Sequence, residues 1–349
     1  MGRGTDQERG LTRSIGSVLA RPSVTGRPVP GSYWERWTAG WPHFAAFRSA
    51  RAALRALLVD HSPQRVWLPA YICASLADAV PSDIRRWYDL SDALAPDVEA
   101  LAQDLRAGDA VIVVAFFGNP PPAALKRLAR HRTDVLWIED RAHQAGDADR
   151  WAQMVLYSPR KLIGVGDGGL LLSRTPATRP TLPAHPNGDG AQRRRALDPD
   201  GHHPREWSPL FQAQERAFTL DPEAMAAETL EVLAGTHLEA DLEARRRNGR
   251  RLVTALHDLT LGLATPADIA WLAVPIRVEN RDSLAEALAR EGIFCARHWA
   301  ELPSDPERYA RLHQIASQIL SLPCDPRYDD ADMDRMIQTV RRLQARPAR

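Results

Sequence analysis

The feature that most constrains the fold of this chain is a regular alternation of short apolar runs and helical patterns between residues 66 and 173. Residues 110–117 form an uninterrupted apolar run bounded by Gly108 and Gly118, which predicts a strand buried on both faces. Shorter runs at residues 66–68, 135–138, 155–157 and 169–173 also indicate strands, and residues 84–88 are a further candidate strand. This rhythm predicts an α/β fold with a mostly parallel sheet covered by helices.

The remainder of the chain divides around this alternating segment. Residues 1–30 are rich in Gly, Arg, Ser, Thr and Pro, so we expect a flexible N-terminal arm. The spacing of apolar residues predicts a first helix over 44–58. A polar, Pro-rich excursion covers residues 176–209. We expect a large domain over residues 31–225 and a smaller C-terminal α/β domain over 226–349.

Composition argues against several classes of protein. The 45 basic and 44 acidic residues give a formal net charge of +1, so no excess of charge suggests a nucleic-acid partner. No apolar run approaches the roughly 20 residues of a membrane span. The three cysteines are too few and too scattered for a disulfide framework or a metal site, so we expect no metal and a cytoplasmic location.

Lysine is scarce in this chain. Only Lys126 and Lys161 occur among 45 basic residues, and Lys161 stands between Arg160 and a Gly-rich turn. Arginine cannot form a Schiff base or lose its proton near neutral pH, so a retained lysine invites a chemical explanation. Retention by chance is the alternative, and spacing alone does not decide between them. Asp140 follows one predicted strand and Lys161 the next, so both are expected at the carboxyl edge of the sheet.

These residue types match the needs of pyridoxal 5′-phosphate (PLP). Its aldehyde condenses with a lysine amine, and its ring nitrogen requires a carboxylate partner. Its phosphate requires backbone N–H groups at the start of a helix, together with hydroxyls. Asp140 taken alone is equally compatible with a helix cap or a surface acid. Only the residues taken together indicate a PLP site.

Several motifs together resemble one family. The strand end reads Ile-Glu-Asp-Arg-Ala-His at 138–143, and Lys161 lies in Tyr-Ser-Pro-Arg-Lys-Leu-Ile-Gly at 157–164, before Asp-Gly-Gly at 167–169. Looser matches lie at 47–54, 68–73, 115–118, 245–248 and 319–325. In this order and spacing, the chain resembles the DegT/DnrJ/EryC1/StrS family of fold-type-I PLP-dependent aminotransferases from about residue 44 to its end.

The resemblance implies a role for each matching residue. Lys161 would bind the cofactor covalently and move the proton, Asp140 would pair with the pyridinium nitrogen, and His143 would contact the phenolic oxygen. Cys73 occupies the position of an aromatic residue that stacks on the ring in the family. The implied cofactor contacts are the backbone N–H groups of Ser49, Ala50 and Arg51 and the hydroxyl of Ser158 at the phosphate, with Tyr71 and Cys73 beside the ring.

The resemblance also implies a reaction. An amino acid, expected to be glutamate, would load the cofactor as pyridoxamine phosphate, which would then aminate a keto or aldehyde acceptor such as a nucleotide-linked sugar or another secondary-metabolite intermediate. The family usually shares its active sites across a homodimer. Two alternatives stay open: a PLP enzyme of the same fold that catalyses dehydration, decarboxylation, cyclisation or replacement, and a non-catalytic relative that serves as a partner protein.

Overall fold

A seven-stranded sheet forms the centre of the larger domain. The computed structural model describes residues 13–185, 188–262 and 269–345. Within them the strands are β1 (Ile15–Gly16), β2 (His43–Phe47), β3 (Val66–Pro69), β4 (Arg85–Tyr88), β5 (Ala110–Val114), β6 (Leu136–Asp140), β7 (Met154–Tyr157), β8 (Gly169–Ser173), β9 (Ala273–Arg277), β10 (Ile293–Phe294) and β11 (Ile319–Pro323). The helices are α1 (Tyr33–Thr38), α2 (Ala50–His61), α3 (Ala74–Ala77), α4 (Val98–Asp104), α5 (Ala123–His131), α6 (Pro159–Leu162), α7 (Gly190–Ala196), α8 (Pro204–Arg216), α9 (Ala227–Gly235), α10 (Leu238–Ala255), α11 (Arg281–Arg290), α12 (Ala310–Gln318) and α13 (Asp330–Gln344).

The strands of the sheet follow the order β2-β8-β7-β6-β5-β3-β4. Strands β7, β6, β5, β3 and β4 are parallel to one another, whereas β8 runs antiparallel to both β7 and β2. Every residue of β5, β7 and β8 is buried, as expected for strands covered on both faces. The prediction of a mostly parallel sheet within an α/β fold is therefore confirmed.

Two hydrophobic cores lie on opposite faces of the sheet at β7. Along β7, Met154 and Leu156 pack into one core, whereas Val155 and Tyr157 pack into the other. This alternation follows from the two-residue repeat of a strand, whose side chains point to opposite faces in turn. Within the described ranges, no helix combines the length and the apolar character that crossing a membrane requires.

The predicted helix over residues 44–58 is wrong in its first half. Residues 43–47 form β2, which pairs antiparallel with β8 at the edge of the sheet. Helix α2 begins only at Ala50, because the hydroxyl of Ser49 accepts a hydrogen bond from the N–H of Ala52 at 3.2 Å and caps the helix there. The helical spacing of Phe44 and Phe47 was therefore coincidental: the alternation of a strand leaves Phe44 exposed and buries Phe47.

Residues 13–30 do not project as a free arm. Strand β1 pairs in parallel with β10, and Ile15 is fully buried. The N–H of Gly16 donates to the hydroxyl of Tyr328 at 2.6 Å, and Arg327 donates to the carbonyl of Val18 at 2.7 Å. Polar composition indicated flexibility, but these contacts hold the segment against β10, Arg327 and Tyr328. Helix α1 also precedes the predicted helix over 44–58. Residues 1–12 lie outside the described ranges.

We call β9–β11 and α10–α13 the smaller domain. In it, α10 packs against β9, α11 packs against β10 and β11, and α13 packs against α10 and α11. Strands β9 and β11 pair antiparallel, and α12 leads directly into β11. The excursion predicted over residues 176–209 contains α7, and α8 starts within it; these two helices pack against each other. Trp207 anchors α8, because its ring is buried against Val18 and Ala191.

Candidate active site

Asp140 and Lys161 lie at the same edge of the sheet. Asp140 is the last residue of β6 and stands opposite Leu156 of the parallel strand β7. Strand β7 ends at Tyr157, and the chain then enters the short helix α6, whose third residue is Lys161. Because the carboxyl ends of parallel strands meet at one edge, the two side chains face a shared crevice, as the sequence predicted.

Burial dominates the protonation of this pair. Asp140 is 6% exposed, and burial raises the pKa of its carboxyl group, while the charge of Lys161 and the N–H of Ala142, 2.8 Å from Oδ1, act to lower it. Burial lowers the pKa of Lys161, against the attraction of Asp140. A lysine with a lowered pKa more readily presents the neutral amine that attacks an aldehyde.

His143 joins this lysine to the segment after β5. Its Nε2 lies 3.3 Å from Nζ of Lys161, and its Nδ1 accepts a hydrogen bond from the N–H of Phe117 at 3.4 Å. Burial, followed by the charge of Lys161, lowers the pKa of His143 well below its usual value, so the ring is neutral. Because Nδ1 accepts, the hydrogen bonds assign the ring proton to Nε2, which faces the lysine.

Trp299 provides an aromatic surface beside His143. The two rings stack with centroids 5.5 Å apart and planes 29° apart. Tyr71 packs against Trp299, with 5.4 Å between ring centroids, and its hydroxyl donates to the carbonyl of His298. Tyr71 is therefore directed towards the smaller domain and not into the crevice. Cys73 does line the crevice, so Trp299 offers the aromatic face that this position lacks.

The start of helix α2 lies at the other end of the crevice. Gly168 and Gly169 allow the chain entering β8 to run directly alongside it, because a Cβ at Gly169 would lie only 2.1 Å from the carbonyl carbon of Ser49. Gly168 also has a φ of 126°, which favours glycine. The positive end of the helix dipole, together with the hydroxyls of Ser49 and Ser158, makes this end suited to an anion.

One narrow cavity collects nearly all the predicted site residues. A buried carboxylate, an amine and, at the far end, hydroxyls beside a helix start are the groups that PLP requires, so the residues present fit this cofactor. Tyr71 is the one predicted residue outside its walls. The predicted residues that line it are Ser49, Ala50, Arg51, Cys73, Asp140, His143, Ser158 and Lys161.

A second cavity of about 420 Å³ adjoins the first. The two share Arg51, Cys73, Ser75, Arg160, Lys161 and Trp299. The other walls of the second cavity come from residues 16–19 of the arm, from α7 and α8, and from the smaller domain. The sequence did not predict the contributions of the arm and of α7 and α8. Residues 1–30 were expected to be flexible, and residues 176–209 were expected to form a polar excursion. The available signal was the helical spacing of Trp207 and Phe211 on α8.

Comparisons with known proteins identify the family and the fold. A model of the DegT/DnrJ/EryC1/StrS aminotransferase family matches residues 77–341. The erythromycin biosynthesis sensory transduction protein EryC1 of Saccharopolyspora erythraea is 25% identical over 304 residues, which are 80% of this chain and 77% of that protein. Among solved structures, S. venezuelae DesV in complex with a ketimine intermediate has a TM-score of 0.67 at 19% identity, covering 95% of this chain and 92% of that one. NtdA from Bacillus subtilis with bound cofactor PMP has a TM-score of 0.63 at 15% identity, covering 92% and 79%. The structural likenesses show the fold, which is fold type I.

Proposed function

Because this chain belongs to the DegT/DnrJ/EryC1/StrS aminotransferase family, we propose that it is a PLP-dependent aminotransferase that carries its cofactor on Lys161. The observation that supports this most directly is the buried arrangement of Lys161, Asp140 and His143 around one cavity. Burying these polar groups costs free energy, which a purely structural role does not explain.

The residues of the chain divide the work of amino transfer. When bound, PLP supplies an electron sink for negative charge at the substrate carbon that carries the amino group. Asp140 would accept a hydrogen bond from the protonated ring nitrogen and keep that proton in place. Lys161 is the one amine among the described residues that line the cavity, so it would hold the cofactor and then move the substrate proton as general acid and base. His143 would donate from Nε2 to the phenolic oxygen.

The larger cavity is the proposed site for the substrates. A volume of about 420 Å³ lies in the range of small-molecule sites. We propose an amino acid, glutamate, as the donor, and a keto or aldehyde compound such as a nucleotide-linked sugar as the acceptor. Arg245 in its walls donates only to backbone carbonyls among the described residues, so its charge supports substrates that carry negative charge. Arg327, in contrast, pairs with Asp325 at 2.7 Å. We also propose a homodimer, which the exposed apolar side chains of Leu197 and Leu210 support.

Absorption spectroscopy tests this function. Purified protein supplied with PLP should show a visible band, and glutamate should convert that band to the shorter-wavelength band of the amino form. Lys161→Ala should lack the band of the lysine-bound cofactor, whereas Lys126→Ala should retain it, because Lys126 forms an ion pair with Asp149 away from both cavities. A band that persists unchanged in Lys161→Ala would contradict the assignment of the lysine.

A second candidate function keeps PLP but not amino transfer. Cys73 at the stacking position supports it, since a different contact on the ring suits a different reaction such as dehydration or replacement. The name of the EryC1 relative also directs attention to a non-catalytic role. A cofactor band that does not respond to glutamate would favour a PLP enzyme with another reaction. The absence of any band after PLP is added would favour a non-catalytic protein.

A further inference from the structure

Three arginine side chains surround one phenylalanine ring at the far end of the narrow cavity. The guanidinium carbons of Arg48, Arg51 and Arg160 lie 5.3, 5.8 and 4.7 Å from the ring centroid of Phe218, which follows α8. Like charges repel, so such a cluster is stable only when carboxylates or another anion offset it. The positions of the available carboxylates therefore decide what the cluster can bind.

The carboxylates leave one positive charge without a partner. Arg48 pairs with Glu223 at 2.5 Å, and Arg160 pairs with Glu215 of α8. Arg51 has no carboxylate partner among the residues that the structure describes. Burial lowers the pKa of the Arg160 guanidinium, partly offset by Glu215 and reinforced by the nearby charge of Arg51.

The hydroxyl groups of Ser49 and Ser158, which line the narrow cavity with Arg51 and Arg160, can each donate a hydrogen bond. Ser158 is 3% exposed, and its hydroxyl has no hydrogen bond to any of the described residues although it lines the narrow cavity. The Ser49 oxygen accepts from the N–H of Ala52, which leaves its own hydrogen free to donate. Two guanidinium groups, two hydroxyls and the start of α2 therefore line the narrow cavity together.

We propose that the side chains of Arg51 and Arg160 bind the phosphate group of the cofactor, in addition to the backbone at residues 49–51. This assignment rests on the proposed function. Arg51 and Arg160 each line both cavities, so a substrate carboxylate is the other available source of an anion. The phosphate is favoured because Ser49 and Ser158 line only the narrow cavity, together with Asp140, and not the larger one.

The test compares PLP with pyridoxal, which lacks the phosphate. Affinities are measured by absorbance titration of the cofactor-free protein and of Arg160→Gln and Arg51→Gln. Each variant should lose about tenfold to a hundredfold in affinity for PLP, as expected for a charge-assisted hydrogen bond, and retain its affinity for pyridoxal. Arg160→Lys, which keeps the charge, should recover part of the loss. Arg48→Gln is the matched control, because Arg48 touches the same ring but lines neither cavity. Its ratio of PLP affinity to pyridoxal affinity should equal that of the wild type.

Each result decides the assignment. Equal losses for PLP and pyridoxal in Arg160→Gln would assign the arginine a structural role and overturn the proposal. Unchanged PLP affinity with a raised KM for glutamate would assign Arg160 to the substrate carboxylate instead. If the wild-type protein binds PLP and the variants bind it equally well, this assignment alone fails. If the wild type binds neither ligand, the proposed function fails as well.

Discussion

We expect Arg141→Met to lower the free energy of unfolding by about 3–5 kcal/mol, the usual cost of removing one partner from a buried ion pair. Arg141 is 2% exposed and donates to the fully buried Glu139 at 2.9 Å. The same guanidinium donates to the hydroxyl of Tyr157 at 3.1 Å and to the carbonyls of Gly146 and Asp147 at 2.9 and 2.7 Å. Methionine fills much of the same volume, so the loss arises mainly from the unpaired charge and acceptors.

The pH dependence of this defect has a definite sign. Burial raises the pKa of Glu139, and the charge of Arg141 opposes that rise. Without Arg141 the folded-state pKa rises further above the value of about 4.3 in an unfolded chain. The folded protein then binds the proton more tightly than the unfolded chain, and the stability gained from protonation is lost as the pH rises through the folded-state pKa. The deficit should therefore be smaller near pH 5 than near pH 8.

Urea unfolding at the two pH values measures both effects. The double variant Glu139→Gln, Arg141→Met should recover much of the loss, because it leaves no buried charge. If Arg141→Met lowers the free energy of unfolding by less than about 1 kcal/mol, the reasoning is refuted, because the buried carboxylate of Glu139 would then not require its ion-pair partner. A double variant as unstable as the sum of its two single variants would refute it as well, because the two sites would then act independently.

Two further predictions concern the arm and the glycine beside α2. Ile15→Ala should lower the free energy of unfolding by about 2–5 kcal/mol in urea titrations, because Ile15 is fully buried and its truncation leaves a cavity; a loss under about 1 kcal/mol would mean that the arm is not docked. Gly169→Ala should lower the affinity for PLP in absorbance titrations, because its Cβ would displace the backbone at Ser49, whereas Gly146→Ala, whose Cβ meets nothing within 4 Å, should bind PLP like the wild type.

The sequence predicts the parallel core of this fold well because the physics there is local. Strands such as β5 are buried on both faces and read as continuous apolar runs between glycines. Once β6 and β7 are identified, the rule that ligands meet the carboxyl ends of parallel strands places Asp140 and Lys161 together. That part of the site required no knowledge of distant contacts.

The features that sequence reasoning missed depend on partners far along the chain. Strand β2 forms because β8, more than a hundred residues later, pairs with its edge. The arm is held by Ile293 and Tyr328, and its own two-residue strand carries too little pattern to detect. Phe218 reaches Arg51 and Arg160 from just beyond the end of α8, a helix that starts within the predicted excursion. In each case the contact is specific but its local signal is weak.

Arg160 couples the proposed anion site to the reactive lysine, because its charge lies next to Lys161. Burial lowers the pKa of Lys161, Asp140 acts to raise it, and Arg160 lowers it further. An anion held by Arg51 and Arg160 would cancel positive charge beside the amine and so raise its pKa. Lys161 would then be more basic once the phosphate is bound, which suits a group that must take a proton from the substrate. Arginine suits position 160 better than lysine would, because the charge of a lysine is readily lost on burial.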